Sequence, residues 1–591
     1  MGADVARKVR GLPVLSGSAS NAATSIQIGG NRETAIAGHL PNIHAEAQRR
    51  FEADGKKLVA EEIAKRDKVG LEMWSEIAAR SEKNEFPKGT DVFMTKYHGL
   101  FFVAPAQNSF MCRMRLPGGI MRSEQLAGVA DIADRFAGGF SDITTRANLQ
   151  LREIGAANAM NVLMGLRDLG IVTQGSGADN IRNVTCSTLT GIDDSELIET
   201  LPLAKELHYH ILHKRELYGL PRKFNIAFDG SGRISSLAET NDISFHAVRV
   251  DKSSVDSTLP EGIYFLLGLG GITGHGDFAR PTGVLVEPSK CVAVCEAILR
   301  VFIQHGNRTD RKKARLKYVL DDWGFEKFLS EVAKELGQPL RRVEQNMFSQ
   351  PNNIDRWAHV GVHPQQQSGM SYMGVVLPVG RMTSDQMRGI AKIAATYGNG
   401  QIRLTVWQNL LITHIPNEKI SCVKKEIESL GLESDASSFF AGLVACTGNT
   451  GCKFAASNTK GQAMILAKYL DSRFELDQPI NIHLTGCHHS CAQHAIGDIG
   501  LIATKVAVTI DEEEEMVEGY HILIGGRTGI DPQIGMKVFD SVAFDDVPSR
   551  VATIVQHYLD NRQSNESFAS FAARVPYSSE SNNLSTSSNV I

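Results

Sequence analysis

The spacing of hydrophobic and polar positions predicts helices near the start of the chain and strands after them. From Ile43 to about Ser81, apolar residues recur at helical intervals among many charged ones, which is typical of amphipathic helices. This arm is expected to pack on the protein or to present an interaction surface, and packing is the favoured role. From Asp91 the period shortens towards two in DVFMTKYHGLFFVAP, which predicts a buried strand and a turn.

An internal repeat organises the rest of the chain. Residues 116–151 align without a gap onto residues 377–412, and each copy has an LPxG turn, a serine-capped helix, a glycine stop and a strand. A second echo pairs Gly262–Gly268 with Gly519–Gly525. The chain therefore consists of two related halves, joined by a Gln/Asn-rich connection at about residues 344–367.

The two copies differ in their cations. Arg113 and Arg115 are two apart on a strand and share one face, as do Arg146 and Asn148 after the helix. Gln150 and Arg152 continue that second face. The duplicate has Gly374, Val376 and Trp407 in place of the arginines 113, 115 and 146. A solvated outer face would give the same alternation on one strand, but the concentration of arginine on two strands favours a polyanion site.

Four of the nine cysteines form two close pairs in the second half. Cys446 and Cys452 are separated by five residues, and Cys487 and Cys491 by three, both in glycine-marked turns. Such pairs are typical of a metal or iron–sulfur site. Four buried small hydrophobes are the bland alternative, and zinc is disfavoured by the five-residue gap. With the cations in one half and the cysteines in the other, the pattern predicts one site between the halves.

Three further polar segments are candidates for the same site. The turn Asp179–Asn183 contains Arg182, and the strand in LPRKFN places Lys223 and Asn225 on one face. Taken alone, each of these two segments is more typical of the protein surface than of a binding site. A basic run at 308–317 is a weaker candidate than either.

Composition and charge narrow the function classes. A chain of 591 residues is too long for one core, and its 42% hydrophobic and 22% charged content is typical of globular proteins. No apolar run is long enough to span a bilayer, and a net charge of −4 gives no global reason to bind nucleic acid. The cysteine usage fits a reducing compartment. We expect a cytoplasmic protein, or a plastid stromal one if the serine-containing segment with Arg7, Lys8 and Arg10 is a transit peptide.

Taken together, these motifs resemble the sirohaem/[4Fe–4S] nitrite and sulfite reductase family. The resemblance rests on the C-x5-C and C-x3-C pairs, the doubled LPxG unit, the NIRN turn and the LPRKFN strand, and it covers about residues 90–555. It implies an α+β fold in which two ferredoxin-like half-domains pair into one domain, beside two related α/β sirohaem/iron–sulfur domains.

The resemblance also implies a division of the chain. The expected segments are an N-terminal arm at 1–88 with a flexible start, half-domain 1 at 89–160, a sirohaem/substrate domain at 161–340, a linker with half-domain 2 at 341–420, a [4Fe–4S]/sirohaem domain at 421–560 and a disordered tail at 561–591.

Roles for individual residues follow from the same resemblance. Cys446, Cys452, Cys487 and Cys491 would ligate the cluster, and Cys491 would also bridge to the sirohaem iron. The carboxylates of sirohaem would be held by Arg115, Arg146, Asn148 and Gln150. The small anionic substrate would meet Arg113, Arg182, Lys223 and Asn225.

Asn225 is the substrate discriminator in this interpretation. The resemblance associates Lys-x-Asn with ferredoxin-dependent nitrite reductases and Lys-x-Lys with sulfite reductases, and this chain reads Lys223-Phe-Asn225. The predicted reaction is six-electron reduction of nitrite to ammonium in nitrate assimilation, with reduced ferredoxin as donor and a monomeric enzyme. Assimilatory sulfite reduction is the alternative, and a non-catalytic zinc or iron–sulfur module is a remote one. His488 and His489 depart from the family's usual Pro-Asn, which leaves the cluster ligands intact.

Overall fold

The structure is a computed structural model that describes residues 41–251, 259–434, 438–510, 512–575 and 577. The expected flexible start and transit peptide lie outside these residues. Among the described residues, no helix is both long and apolar enough to cross a membrane.

The described residues form helices and strands in the alternation that the repeat predicts. The helices are α1 (Asn42–Ala53), α2 (Ala60–Asp67), α3 (Trp74–Glu82), α4 (Asp91–Met94), α5 (Ser123–Phe136), α6 (Ala159–Asp168), α7 (Leu201–His213), α8 (Cys291–His305), α9 (Leu316–Leu336), α10 (Ser384–Tyr397), α11 (Ile420–Ser429), α12 (Thr459–Asp471), α13 (Val547–Asn561) and α14 (Phe568–Arg574). The strands are β1 (Leu100–Phe102), β2 (Phe110–Arg113), β3 (Ile120–Arg122), β4 (Phe140–Thr144), β5 (Asn148–Ile154), β6 (Ile226–Asp229), β7 (Ile243–Val250), β8 (Gly262–Leu269), β9 (Arg280–Val286), β10 (Gly361–Pro364), β11 (Met370–Val375), β12 (Arg381–Thr383), β13 (Gln401–Leu404), β14 (Leu410–Pro416), β15 (Leu443–Ala445), β16 (Ile482–Thr485), β17 (Ile499–Ile510), β18 (Glu513–Ile524) and β19 (Met536–Ala543).

The two repeat units build two sheets that exchange a strand. One sheet has the order β1-β2-β5-β4-β12 and the other β10-β11-β14-β13-β3. Strand β12 of the second half pairs with β4 of the first, and β3 of the first half pairs with β13 of the second. Helices α5 and α10 pack on each other, and the apolar faces of both units share one core. The halves are therefore a single paired domain.

Two further sheets carry the site and repeat one pattern. One has the order β6-β7-β8-β9 and the other β15-β16-β17-β18-β19. The first sheet has one parallel pair and the second has two, and in each they are followed by two antiparallel pairs. Strand β8 contains the first glycine-bounded echo of the sequence, and β18 contains the second as far as Ile524, directly before Gly525. Helices α7 and α8 cover the core of the first sheet, while α12 and α13 cover that of the second.

Three local expectations differ from the structure. The segment after Asp91 is α4 and a 3-10 turn (Thr95–His98), and only β1 of the predicted strand forms. Ser123 and Ser384 are the first helical residues, not the caps; Thr383 caps α10 by accepting from the Gln386 N–H at 3.2 Å. The tail expected to be disordered from residue 561 contains α14, because its phenylalanines pack on Tyr558 of α13.

Candidate active site

The four cysteines lie in turns that follow two neighbouring parallel strands. Cys446 comes directly after β15, and the turn with Cys487 and Cys491 follows β16. The Cys446 N–H donates to the Leu484 carbonyl at 3.1 Å, and the Gly486 N–H donates to the Cys446 sulfur at 3.1 Å. Parallel strands end at the same edge of a sheet, so cysteines distant in the chain meet there.

The thiols influence one another electrostatically. Burial, followed by the charges of Cys491, Cys452 and Cys446, raises the pKa of the Cys487 thiol to about 11 against an opposing backbone hydrogen bond. Within the described residues, no three His, Cys, Asp or Glu side chains converge closely enough to hold a single metal ion. The electrostatic influence of Cys491, Cys452 and Cys446 on Cys487 indicates that the four sulfurs lie near one another, and four cysteines are a usual ligand set of an iron–sulfur cluster.

Arg113 and Arg115 reach the site from the first half. The Arg113 guanidinium lies 4.6 Å from the centre of the Phe101 ring and makes no side-chain hydrogen bond to any residue the structure describes. Burial lowers its pKa to about 10 although Cys491 opposes this. Arg115 is 2% exposed and donates to the Ile181 carbonyl at 2.7 Å, while its Nε and a second terminal nitrogen have no partner.

Arg146 lies in the turn before β5. Its terminal nitrogens donate to the Asn241 side-chain oxygen at 2.5 Å and to the Asn183 carbonyl at 2.6 Å, and its buried Nε has no partner. Burial lowers the pKa of this guanidinium to about 9, with Asp242 opposing. A buried cation with an unused donor is costly unless an anion completes its shell.

Asn148 and Gln150 are engaged with the protein itself. The Asn148 amide donates to the Met114 carbonyl at 2.6 Å and accepts from the next backbone N–H at 3.0 Å. The Gln150 side-chain oxygen accepts from Arg152 at 2.7 Å. Both side chains are buried. Asn148 links β5 to the segment that follows β2, and Gln150 supports Arg152 on its own strand.

Arg182, Lys223 and Asn225 lie on two segments that pair with each other. The Arg182 guanidinium donates to the Ser176 and Ala178 carbonyls at 2.6 and 2.8 Å. Among the described residues, neither the Lys223 ammonium nor the Asn225 side-chain amide has a hydrogen-bond partner. Burial and then the Arg315 charge lower the pKa of Lys223 to about 7, while Cys491 opposes them. Two unsatisfied polar groups side by side can bind a small anion.

Direct contacts join the two halves at this point. Thr145, beside Arg146, donates its hydroxyl to the Cys491 carbonyl at 2.9 Å. Arg152 also donates to the hydroxyl of Thr447, one residue after Cys446. The structure therefore brings the cations of the first half to the cysteines of the second, as the sequence predicts.

The two histidines between the last cysteines pack as a pair. Their rings are 4.3 Å apart, and His489 lies 3.4 Å from the Cys487 sulfur and 5.1 Å from the Phe454 ring centre. Burial first, then the charge of His488 and Lys223, lowers the pKa of His489 to about 4. His489 is thus neutral at physiological pH and adds no charge near the cysteines.

Lys96 is a site residue that the sequence analysis missed. Its ammonium lies 6.0 Å from the Phe101 ring centre, on the ring that also carries Arg113. It forms no hydrogen bond or ion pair with the described part of the chain. Burial, then Lys453 and Arg182, lowers its pKa to about 8. The sequence offers no signal for this residue, because only the fold brings Lys96 and Arg113 to the same Phe101 ring.

A duplicated α+β protein in which thiols of one half lie beside cations of the other is an iron–sulfur oxidoreductase by fold and site. The chain belongs to the nitrite and sulphite reductase family. Residues 177–340 and 438–576 match the nitrite and sulphite reductase 4Fe-4S domain, and residues 104–169 and 363–430 match the ferredoxin-like half domain of the same enzymes.

Relatives in several kingdoms cover most of the chain. A ferredoxin–nitrite reductase of Synechococcus elongatus is 35% identical over 77% of this chain and 87% of its own length. A chloroplastic ferredoxin–nitrite reductase of Zea mays is 32% identical over 78% of this chain and 80% of its own. The solved structure of the Mycobacterium tuberculosis NirA protein superposes with a TM-score of 0.78 at 27% identity, covering 88% of this chain and 97% of that one.

Family membership confirms the predicted fold class and the predicted cofactors, sirohaem and a [4Fe–4S] cluster. The residues present fit both groups. Four thiols with a backbone donor at Cys446 suit the cluster. The partnerless guanidinium nitrogens of Arg115 and Arg146 suit the carboxylates of sirohaem.

Proposed function

We propose that this enzyme reduces nitrite to ammonium with electrons from reduced ferredoxin. Nitrite takes up six electrons and eight protons and is released as one ammonium ion and two waters. The observation that carries the proposal is the pair Lys223 and Asn225 on one segment, a cation and a neutral amide whose side chains have no hydrogen-bond partner among the residues that the structure describes. The relatives named as ferredoxin–nitrite reductases support it.

The cysteines and arginines are assigned to the cofactors. Cys446, Cys452, Cys487 and Cys491 would hold the cluster, and Cys491 would also serve sirohaem. Arg115 and Arg146 hold sirohaem carboxylates through their free donors, with Asn148 and Gln150 supporting them. When bound, the coupled cofactors supply an anion-binding iron and electrons one at a time.

The remaining residues act on the substrate. Arg113, Arg182 and Lys223 supply fixed positive charge, which lowers the cost of bringing an anion into a buried site. A pKa of about 7 lets Lys223 hold a proton at its Nζ or release it as nitrite oxygens are converted to water. Asn225 donates a hydrogen bond without adding charge, which suits singly charged nitrite better than dianionic sulfite. A cytoplasmic, monomeric enzyme remains our prediction.

The test is a direct comparison of the two anions. The purified holoenzyme is supplied with reduced ferredoxin or reduced viologen, and ammonium and sulfide are measured as products. We expect a higher kcat/KM for nitrite than for sulfite. A higher kcat/KM for sulfite would replace this proposal with sulfite reduction, and a colourless protein without iron would exclude both.

A further inference from the structure

The N-terminal arm carries its charges into the interior. Glu62 and Lys65 of α2 are 0% and 2% exposed, although the sequence pattern is that of a charged, solvated helix. The Glu62 carboxylate accepts from Arg308 at 2.6 Å and pairs with Lys65. Buried charges are costly unless they are paired, so this part of the arm is built into the protein.

Lys65 reaches both segments that carry the proposed substrate residues. Its ammonium donates to the Leu220 carbonyl at 2.8 Å and lies 3.5 Å from an Asp179 carboxylate oxygen. Leu220 precedes Lys223 by three positions, and Asp179 precedes Arg182 by three. Lys65 therefore contacts both segments, in each case three positions before a proposed substrate residue.

Asp179 collects further cations around the same point. Arg311 grips it with two hydrogen bonds of 2.7 and 2.8 Å, and Arg222 lies 3.8 Å away. The carboxylate is 1% exposed. Although burial opposes it, the charges of Lys65 and Arg311 lower the pKa of Asp179 to about 2, so the group stays ionised.

The two segments are also joined through their backbones. The Gly219 N–H donates to the Asn180 side-chain oxygen at 2.9 Å, and the Phe224 N–H donates to the Asn180 carbonyl at 3.2 Å. The Arg182 N–H then donates to the Phe224 carbonyl at 2.8 Å. A shift of either segment is thereby transmitted to the other.

We propose that Lys65 and Asp179 are positioning residues that set the separation of Arg182 and Lys223 in the anion site. Arg182 and Lys223 repel each other, and the buried Asp179 carboxylate, on the same segment as Arg182, stabilises the Arg182 charge against that repulsion. Lys65 locks the carboxylate to the second segment. The inference deepens the proposed function and rests on it for the identity of the anion.

The test replaces Lys65 in the holoenzyme. Lys65→Met removes the charge and the hydrogen bonds to Glu62, Gly219 and Leu220, while Lys57→Met, at an exposed position of the same arm, is the matched control. We expect Lys65→Met to raise KM for the substrate anion by about tenfold with a smaller effect on kcat, because Arg182 and Lys223 lose their relative positions in the anion site. Backbone amides at 219–224 should exchange hydrogen faster than in the control.

Two features of the experiment separate this inference from the proposed function. Hydrogen exchange needs no substrate, and KM is measured with both nitrite and sulfite, so a sulfite preference would refute the proposed function without touching this inference. If Lys65→Met does not fold, Lys65→Gln retains a donor for Leu220 without the charge, and we expect it to raise KM as well. A folded variant with the KM and exchange rates of Lys57→Met would overturn the inference.

Discussion

At the scale of single residues, the partners of a cation indicate whether it stabilises the fold or is available to bind a ligand. Arg311 and Arg315 of the basic run are spent on buried carboxylates, Asp179 and Asp242, at 2.7 Å each. Lys223 lies near Arg315 yet has no hydrogen-bond or ion-pair partner among the described residues. Lys223 is half-buried, and a cation that the protein leaves without a carboxylate is available to an anion brought from outside.

The charge of Lys223 gives the activity a pH dependence. Burial, then the Arg315 charge, lowers its pKa to about 7, so the ammonium is charged below that value and neutral above it. Nitrite remains an anion over this range. We expect kcat/KM for nitrite to fall as pH rises through about 7. Lys223→Arg keeps the charge, and a variant with the same alkaline decline as the wild type would contradict this assignment.

Asn225 tests the choice between anions. A lysine here adds a second charge beside Lys223 and suits a dianion better than nitrite. We expect Asn225→Lys to shift the nitrite-to-sulfite ratio of kcat/KM towards sulfite by about tenfold or more. Asn225→Gln, which keeps the amide, is the control. An unchanged ratio in the lysine variant would remove Asn225 as the discriminator.

At the scale of elements, the LPxG turn is the unit that the two halves share most closely. Gly119 and Gly380 end these turns with φ of +72° and +70°. A methyl group on Gly119 would lie 2.6 Å from the Ala147 Cβ, and one on Gly380 would lie 2.9 Å from the Gln408 Cβ. Each turn is pressed against the loop before the next strand, which in the first half holds Arg146.

Alanine at either turn glycine should destabilise the protein. Backbone strain and the close contact together are expected to cost about 1–3 kcal/mol. Gly170 has the same φ, +70°, but open space around it, so Gly170→Ala should cost about 1 kcal/mol or less. Urea midpoints of the three variants give the comparison. Equal midpoints would show that crowding at the turns is unimportant.

At the scale of the whole molecule, Asp142 joins three parts of the chain. Lying on β4, it accepts from Arg152 of its own half at 2.9 Å and from Arg381 of the other half at 2.9 Å. Lys460 of the cysteine domain lies 3.6 Å away. This buried carboxylate sits beside the exchanged strand β12, where the two halves become one domain.

Removing the Asp142 charge should weaken the assembly of the halves. Asp142→Asn leaves three cations facing a neutral group, and we expect a loss of about 3–5 kcal/mol near neutral pH. Despite its burial, Lys460 and the arginines hold the pKa of Asp142 well below its usual range. Its contribution is therefore present above about pH 4 and declines as pH falls further.

Urea unfolding at neutral and acidic pH measures both effects. The difference between wild type and Asp142→Asn should shrink in acid. Asp131→Asn removes an exposed partner of Arg388, 2.9 Å away, and should cost less than about 1 kcal/mol. A cost for Asp142→Asn as small as that of Asp131→Asn would contradict the role of Asp142 as a junction.

Repetition and spacing made much of this protein predictable from sequence. The unbroken alignment of 116–151 with 377–412 predicted the strands and helices of both units, since side-chain periodicity is a local property. The cysteine pairs predicted the cluster region for a related reason. The close spacing of two cysteines in one turn is also a local property, and it does not depend on how the domains are arranged. The strand predicted for residues 91–98 was wrong, since a short apolar run is compatible with a helix as well as with a strand.

Partnership between distant residues was decided by the tertiary structure alone. Sequence analysis placed Lys223 and Asn225 on one face, but only the fold shows that their side chains lack partners within the described part of the chain, whereas Arg311 and Arg315 have them. The fold also buries part of the charged arm, where Lys65 pairs with Asp179, more than one hundred positions away in the sequence. The sequence determined which side chains share an element, because that depends on local periodicity. The fold decided which charges are paired, because electrostatic energy depends on distance and burial in space.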